Sequence, residues 1–383
     1  MSKFEWSIYN VTQDFLIGEF TQSMTFSWGR DSPVTPYQGR TATITMLNDA
    51  NQSQYVSNAD QINIILGIDT EPTSVIIFNG IVVSREFQDT PGNGAGSTLV
   101  FTVLDLFAMA GTVQFNGTVS SAQTQLLELG ASVVTANAAD LILLGTTDVS
   151  ITTGTIAENA LSRINQIILA DKGYISSWLY DISGTFYTDY QKPSEQSSSS
   201  VVASPTYGRT SSATQIAYDS IVRREAATSN LFYNRATVTG TSTTVTSDNT
   251  PSYLYYGVRS FTTSTPQSNF VTSSSQWFAN AYSDPEAVTL EMSFLDVAQT
   301  SGALLDFAIY SLQAVLFQQV SYTPPGGSSI SDYYLPEKIS MNVTPAATRV
   351  SMTMIPITLY QFFKLNDSVF GVLDTSRLGA GEI

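Results

Sequence analysis

The chain has 383 residues, 16 basic against 32 acidic side chains for a formal net charge of −16, and neither Cys nor His. That balance argues against a nucleic-acid-binding surface, which needs Lys and Arg to displace phosphate counterions. The missing Cys and His remove disulfides, thiolate nucleophiles, zinc knuckles and the commonest general base at neutral pH, so no metal or cofactor is expected. Only 13% of residues are charged while 43% are hydrophobic, against a usual quarter charged, which favours a surface covered by neighbouring subunits over that of an ordinary β-rich secreted domain.

No signal peptide is expected, because Met1 to Trp6 leads into polar, strand-like sequence rather than an apolar core. From Phe15 to Phe101 the pattern is strands alone, over Phe20 to Trp28, Thr41 to Leu47, Gln61 to Leu66, Val75 to Val83 and Thr98 to Leu104. Turn chemistry separates them at Asp31-Ser32-Pro33, Asn48-Asp49, Glu71-Pro72 and the Gly-rich stretch from Pro91 to Gly96. So many short strands suggest a small closed or nearly closed barrel. Asp105 then caps a short helix, Leu106 to Ala110, ended by Gly111.

From Thr118 to about Tyr190 the pattern changes. Ala122 to Leu129 is a short candidate helix, and a longer one is expected to begin at the capping box Thr155-x-x-Glu158. Ala157, Ala160, Leu161, Ile164, Ile167 and Ile168 give it an apolar face, and Gly173 stops it. Tyr174 to Tyr180 and Thr185 to Tyr190 follow as a hairpin around Ile182-Ser183-Gly184. Pro193 to Ser200 is a Ser-rich linker.

A second β-rich region starts at Tyr207. Asn234 to Thr239 alternates, with Ala236 and Val238 on one face. A Thr/Ser/Asn loop leads to Ser252 to Ser260, an aromatic run whose single Gly257 is expected where two backbones or subunits come close. Ser274 to Ala281 reads as a helix with Trp277 and Phe278 inward; Val288 to Leu295 and Val315 to Tyr322 read as strands. Pro324 to Gly327 makes a turn, and Lys338 to Thr344 pairs with Arg349 to Ile355 across Pro345-Ala346-Ala347. The most apolar region, Ala303 to Val320, is broken by Asp306, Ser311 and Gln313 and falls short of a membrane span.

The chemistry is thin. Carboxylates such as Asp181, Asp189, Glu286, Glu291 and Asp296 are available to a glycosidase, but 32 acids place some by chance. No Ser-x-x-Lys or Gly-x-Ser-x-Gly occurs, and no Lys-Ser/Thr closes Gly92 to Gly96 into a phosphate loop. Trp178, Tyr180, Tyr187 and Tyr190 keep a carbohydrate-binding adhesin open as an alternative, although aromatic residues at strand spacing are usually core. No enzyme is expected.

Three stretches, in order, resemble the minor tail proteins that form the tail hub of long-tailed bacteriophages, relatives of baseplate hub proteins. Met24 to Asp31 leading to Gln38-Gly39-Arg40 and on to Asp49 resembles that family's opening. Leu231 to Val238 followed by Tyr256-Gly257-Val258-Arg259 resembles its second half, and Phe362 to Asp374 with Arg377 and Leu378 its C-terminal tail. The resemblance implies a mainly β protein with an α+β insert, two tube-like β-barrel domains flanking a small helix-plus-hairpin domain. The corresponding units are 1–116, 117–205 and 206–383, with a possible inserted subdomain around 240–290. It implies a homotrimer at the distal end of a tail tube, three subunits giving six barrels to a sixfold tube. Expected partners are itself, a distal tail protein or tube ring, the tape-measure protein and tail-tip or receptor-binding proteins. Genomic DNA would pass transiently, without sequence-specific binding, past an acidic wall that repels phosphate. The location is the virion tail tip, after synthesis in the host cytoplasm. Asn234, Tyr256, Gly257, Arg259, Phe370, Gly371, Asp374 and Arg377 are the candidate assembly-interface residues.

Overall fold

The computed structural model describes residues 2–48, 51–88, 97–119, 141–144, 154–180, 186–191, 205–225, 232–265, 271–281, 283, 288–313, 315–323 and 329–356. The first half is built from β1 (Phe4–Asn10), β2 (Phe15–Leu16), β3 (Thr21–Gly29), β4 (Gln38–Leu47), β5 (Gln61–Ile68), β6 (Glu71–Gln88) and β7 (Thr98–Leu104). Alternation sets their burial: Ile62, Ile64, Leu66 and Ile68 of β5 are buried while the residues between them are only partly so. Helix α1 (Leu106–Met109) follows, and the Asp105 carboxylate caps it by accepting from the Ala108 N–H at 2.6 Å.

Next come β8 (Gln114–Val119), β9 (Leu141–Leu144), β10 (Gly154–Asn159), helix α2 (Ala160–Asp171), β11 (Tyr174–Tyr180) and β12 (Phe186–Gln191). β11 and β12 form the expected hairpin, with β9 added parallel to β12. The expected capping box does not form. Thr155 and Glu158 lie in β10, paired with β8, and the helix starts five residues later with Asn159 as its cap. Asn159 accepts from the Ser162 N–H at 3.1 Å, so a strand pairing outcompeted the Thr155 start. Its C-terminal residue in the left-handed region is Lys172, at φ 64°, not Gly173.

The remainder holds β13 (Thr206–Gly208), β14 (Gln215–Ala217), β15 (Ser220–Glu225), β16 (Arg235–Thr239), β17 (Thr244–Asp248), helix α3 (Thr250–Tyr256), β18 (Ser260–Ser264) and helix α4 (Val271–Ala281). It ends with β19 (Val288–Leu295), helix α5 (Ser301–Phe307), β20 (Gln318–Tyr322), β21 (Ile330–Val343) and β22 (Thr348–Pro356). α5 runs on as a π-helical segment, Ala308–Gln313. Among the described residues no helix is long and apolar enough to cross a membrane.

Among the described residues, fourteen strands form one hydrogen-bonded sheet. Its first arm runs β2-β1-β5-β6-β7-β4-β3, and β3 pairs with β21. Long β21 pairs with β20 through Ile330–Tyr334 and with β3 through Lys338–Val343, and also with β22. β20 continues to β13 and β14, and β22 to β19 and β15. The protein is mainly β; among the described residues no pairing closes this sheet on itself. A separate three-stranded sheet, β17-β16-β18, packs against α4. The Thr/Ser/Asn segment expected as a loop is therefore half strand, since Thr244–Asp248 pairs antiparallel with β16.

The β3–β21 seam has a local cause. The register slips between Pro336, which has no N–H to give, and Lys338, leaving Glu337 as a bulge. The Glu337 carbonyl accepts from the Arg30 N–H at 2.8 Å, and its carboxylate takes Arg30 Nε at 2.6 Å and Nη2 at 3.1 Å. Gly29 beside it has φ +107°, and a Cβ there would stand 2.0 Å from the Glu337 carbonyl oxygen, so only glycine fits. The Arg30 guanidinium also lies 4.2 Å from the centre of the Tyr37 ring. A second buried arginine, Arg40, joins the arms by donating to the carbonyls of Ile77 in β6 and Leu312 after α5.

Candidate assembly surface

The Asn234–Arg259 region is knitted by one side chain. Asn234 is fully buried. Its Nδ2 donates to the Gly257 carbonyl at 2.8 Å and its Oδ1 accepts from the Arg259 N–H at 2.8 Å. Its own N–H and that of Arg235 both donate to the Arg259 carbonyl at 3.1 Å, and its carbonyl accepts from the Asn249 N–H at 2.8 Å. This asparagine fixes where 257–259 sits and presents no atom to a partner.

The aromatic run over Ser252 to Tyr256 falls in helix α3. Asn249 Oδ1 accepts from the Ser252 N–H at 3.1 Å, and Pro251 occupies the first turn, where its missing N–H costs nothing. Gly257 ends the helix at φ +75°, its N–H donating to the Tyr253 carbonyl at 2.9 Å. A Cβ on Gly257 would meet nothing within 4 Å. The glycine serves the backbone turn, and no second backbone of this chain approaches it among the described residues.

A helix of this kind leaves its outer face unpartnered. Leu254 is 72% and Tyr255 81% exposed, with Tyr256, Val258 and Arg259 also exposed. Tyr256 is braced edge-on against Phe232, ring centres 5.5 Å apart, and against Tyr255 at 4.7 Å. This apolar patch stands beside a bidentate Arg235–Asp248 pair, at 2.6 and 2.9 Å, which holds the Asp248 carboxyl below the usual range. Sequence reasoning named Tyr256, Gly257 and Arg259 but missed Leu254 and Tyr255, which the aromatic run itself contained. Phe370, Gly371, Asp374 and Arg377 lie outside the described residues.

Elsewhere, the aromatic residues considered for sugar binding lie on the β11–β12 hairpin. Trp178 stands opposite Thr188 and Tyr180 opposite Phe186, whereas Tyr187 stands opposite Leu179.

No protein-family model matches the sequence, and no curated protein matches it. Solved structures do share its fold over almost the whole chain. The tail protein of Neisseria meningitidis MC58 matches with a TM-score of 0.60 at 11% identity, covering 93% of this chain and 98% of that one. The 43 kDa tail protein of prophage MuSo2 from Shewanella oneidensis matches with a TM-score of 0.57 at 10% identity, again over 93% and 98%. The chain has the fold of these tail proteins.

Proposed function

We propose that the protein is a structural subunit of a bacteriophage tail, forming the trimeric hub at the distal end of the tail tube. The observation that carries this is the near full-length fold match to tail proteins, 93% of the chain at a TM-score of 0.60. The charge-poor composition and the exposed apolar patch on α3 and Val258 support subunit contacts rather than chemistry. In this reading residues 1–116 and 206–383 each contribute a tube-like barrel around the 117–205 module, with a subdomain inserted around 240–290. Three subunits then offer six such modules, which lets a threefold tip continue a sixfold tube through heterologous contacts closed by rotation.

The partners are two further copies of the chain, the last tube ring or distal tail protein, the end of the tape-measure protein and the receptor-binding tip. DNA passes through without specific contacts. The subunit itself catalyses nothing. Electron microscopy of virions labelled with an antibody to this chain tests the reading. Label at the distal tail end is expected; label on the capsid or along the tube shaft contradicts it.

A further inference from the structure

A groove of about 630 Å³ lies between β18 and helix α2, with loop 30–38 also lining it. Four consecutive residues of β18, Phe261 through Ser264, line it. Successive strand side chains point to opposite faces, so an unbroken run of lining residues places the groove along the strand's edge. β16 takes the other edge. In that ladder the Arg259 carbonyl accepts from Arg235 at 3.1 Å, and the Thr265 N–H donates to Thr239 at 2.9 Å. The odd-numbered residues therefore turn their backbone groups to β16, and Ser260, Thr262 and Ser264 turn theirs outward. Among the described residues no second strand pairs with β18.

Both walls are fixed. Asn165 of α2 accepts from the Tyr37 N–H at 2.6 Å and donates to the Tyr37 carbonyl at 3.1 Å, which clips the helix to loop 30–38. From the inner side Phe261 packs on Phe278, ring centres 5.1 Å apart, and on Tyr233 at 5.0 Å. A preformed groove spares an entering segment the cost of ordering its host. Among the described residues, the one charged side chain in the lining is Arg30, already neutralised by Glu337; the rest is amide, hydroxyl, aliphatic and aromatic.

We propose that this groove binds an extended, uncharged segment of another polypeptide, which adds as a strand to the free edge of β18. A strand edge facing a helix is the geometry of β-augmentation, in which main-chain hydrogen bonds hold the peptide and alternate side chains enter the groove. Leu161 and Leu169 of α2 and Val34 of the loop offer those side chains apolar contacts. Five residues of β18 span about 17 Å, at ~3.3 Å each, which suits a segment of about six residues. A charged segment would shed its hydration with no counter-charge to meet it. The inference stands independently of the tail-hub reading.

The probe is the fluorescein-labelled peptide Ser-Val-Thr-Val-Asn-Val, blocked at both ends, titrated against the full-length protein by anisotropy. Saturable binding is expected, at least tenfold weaker for an analogue with Lys at the valine positions and for one N-methylated on alternate amides. Thr262→Pro removes an outward N–H without touching the β16 ladder and is expected to weaken binding at least tenfold with an unchanged melting temperature. If that variant misfolds, the N-methylated peptide on the unsubstituted protein decides. Absence of binding, or equal binding by the N-methylated or the Lys analogue, overturns the proposal. Hydrogen exchange of the free protein separates the other occupants. Protection of the Thr262 amide without peptide, whether constant or rising with protein concentration, means the edge is filled by this chain or a second copy, and also overturns it.

Discussion

At the scale of single residues, the molecule invests two buried arginines in joining its arms. Arg30 and Glu337 are almost wholly buried, on β3's end and the β21 bulge. Truncating one partner leaves the other charge buried and uncompensated, so Arg30→Ala is expected to cost about 3–5 kcal/mol in urea unfolding. A loss under about 1 kcal/mol would show that the seam does not depend on the pair. Asp105 sets a pH dependence. Burial pushes its carboxyl up to about 7, outweighing the Ala108 and Arg40 N–H groups and the Arg40 charge that favour ionisation. Its folded pKa thus lies above its unfolded value, so its contribution is full below about pH 4 and declines as pH rises towards 7. The slope reaches at most about 1.4 kcal/mol per pH unit. Asp105→Asn is expected to flatten that decline; parallel pH profiles for the two proteins would contradict it. Asn234 shows what sequence can and cannot say at this scale. The resemblance over Leu231 to Val238 singled it out, but nothing in the sequence indicates that its amide faces inward to hold Gly257 and Arg259.

At the scale of elements, most strands were legible because alternation is local. β19 has the expected bounds, Val288–Leu295, and the β21–β22 hairpin turns where Pro345 is. A local signal can still lose to a distant partner. Over Ser252 to Tyr256 the aromatic run is a helix, started by Asn249 and Pro251. Around Thr155 the capping box lost to pairing with β8, a partner that no window of sequence around it contains. Asn249 also donates to Asn280 at 3.2 Å and to Ser283 at 3.0 Å, tying α3 to the end of α4. Asn249→Ala is therefore expected to lower stability by about 1–2 kcal/mol, the cost of a lost cap with its tie. Calorimetry that finds no change would mean the helix starts without it.

At the scale of the whole molecule, two β-rich halves around a mixed segment could be read from patterning, but their union in one sheet could not. The pairing of Met24 with Val343 and Gly29 with Lys338 joins residues some three hundred positions apart, and long-range register leaves no periodic trace. The α3 surface belongs to this scale too, because exposed Leu254 and Tyr255 would leave water in the proposed subunit contact. The double substitution Leu254→Ser, Tyr255→Ser is expected to weaken self-association at least tenfold while the subunit's circular dichroism is unchanged; undiminished association would remove this patch from the contact. The proposed hub is tested most directly by the native mass of the purified protein at micromolar concentration. Three chains of 41.5 kDa give a particle of about 125 kDa, the predicted result, whereas a single 41.5 kDa species persisting to high concentration contradicts the account.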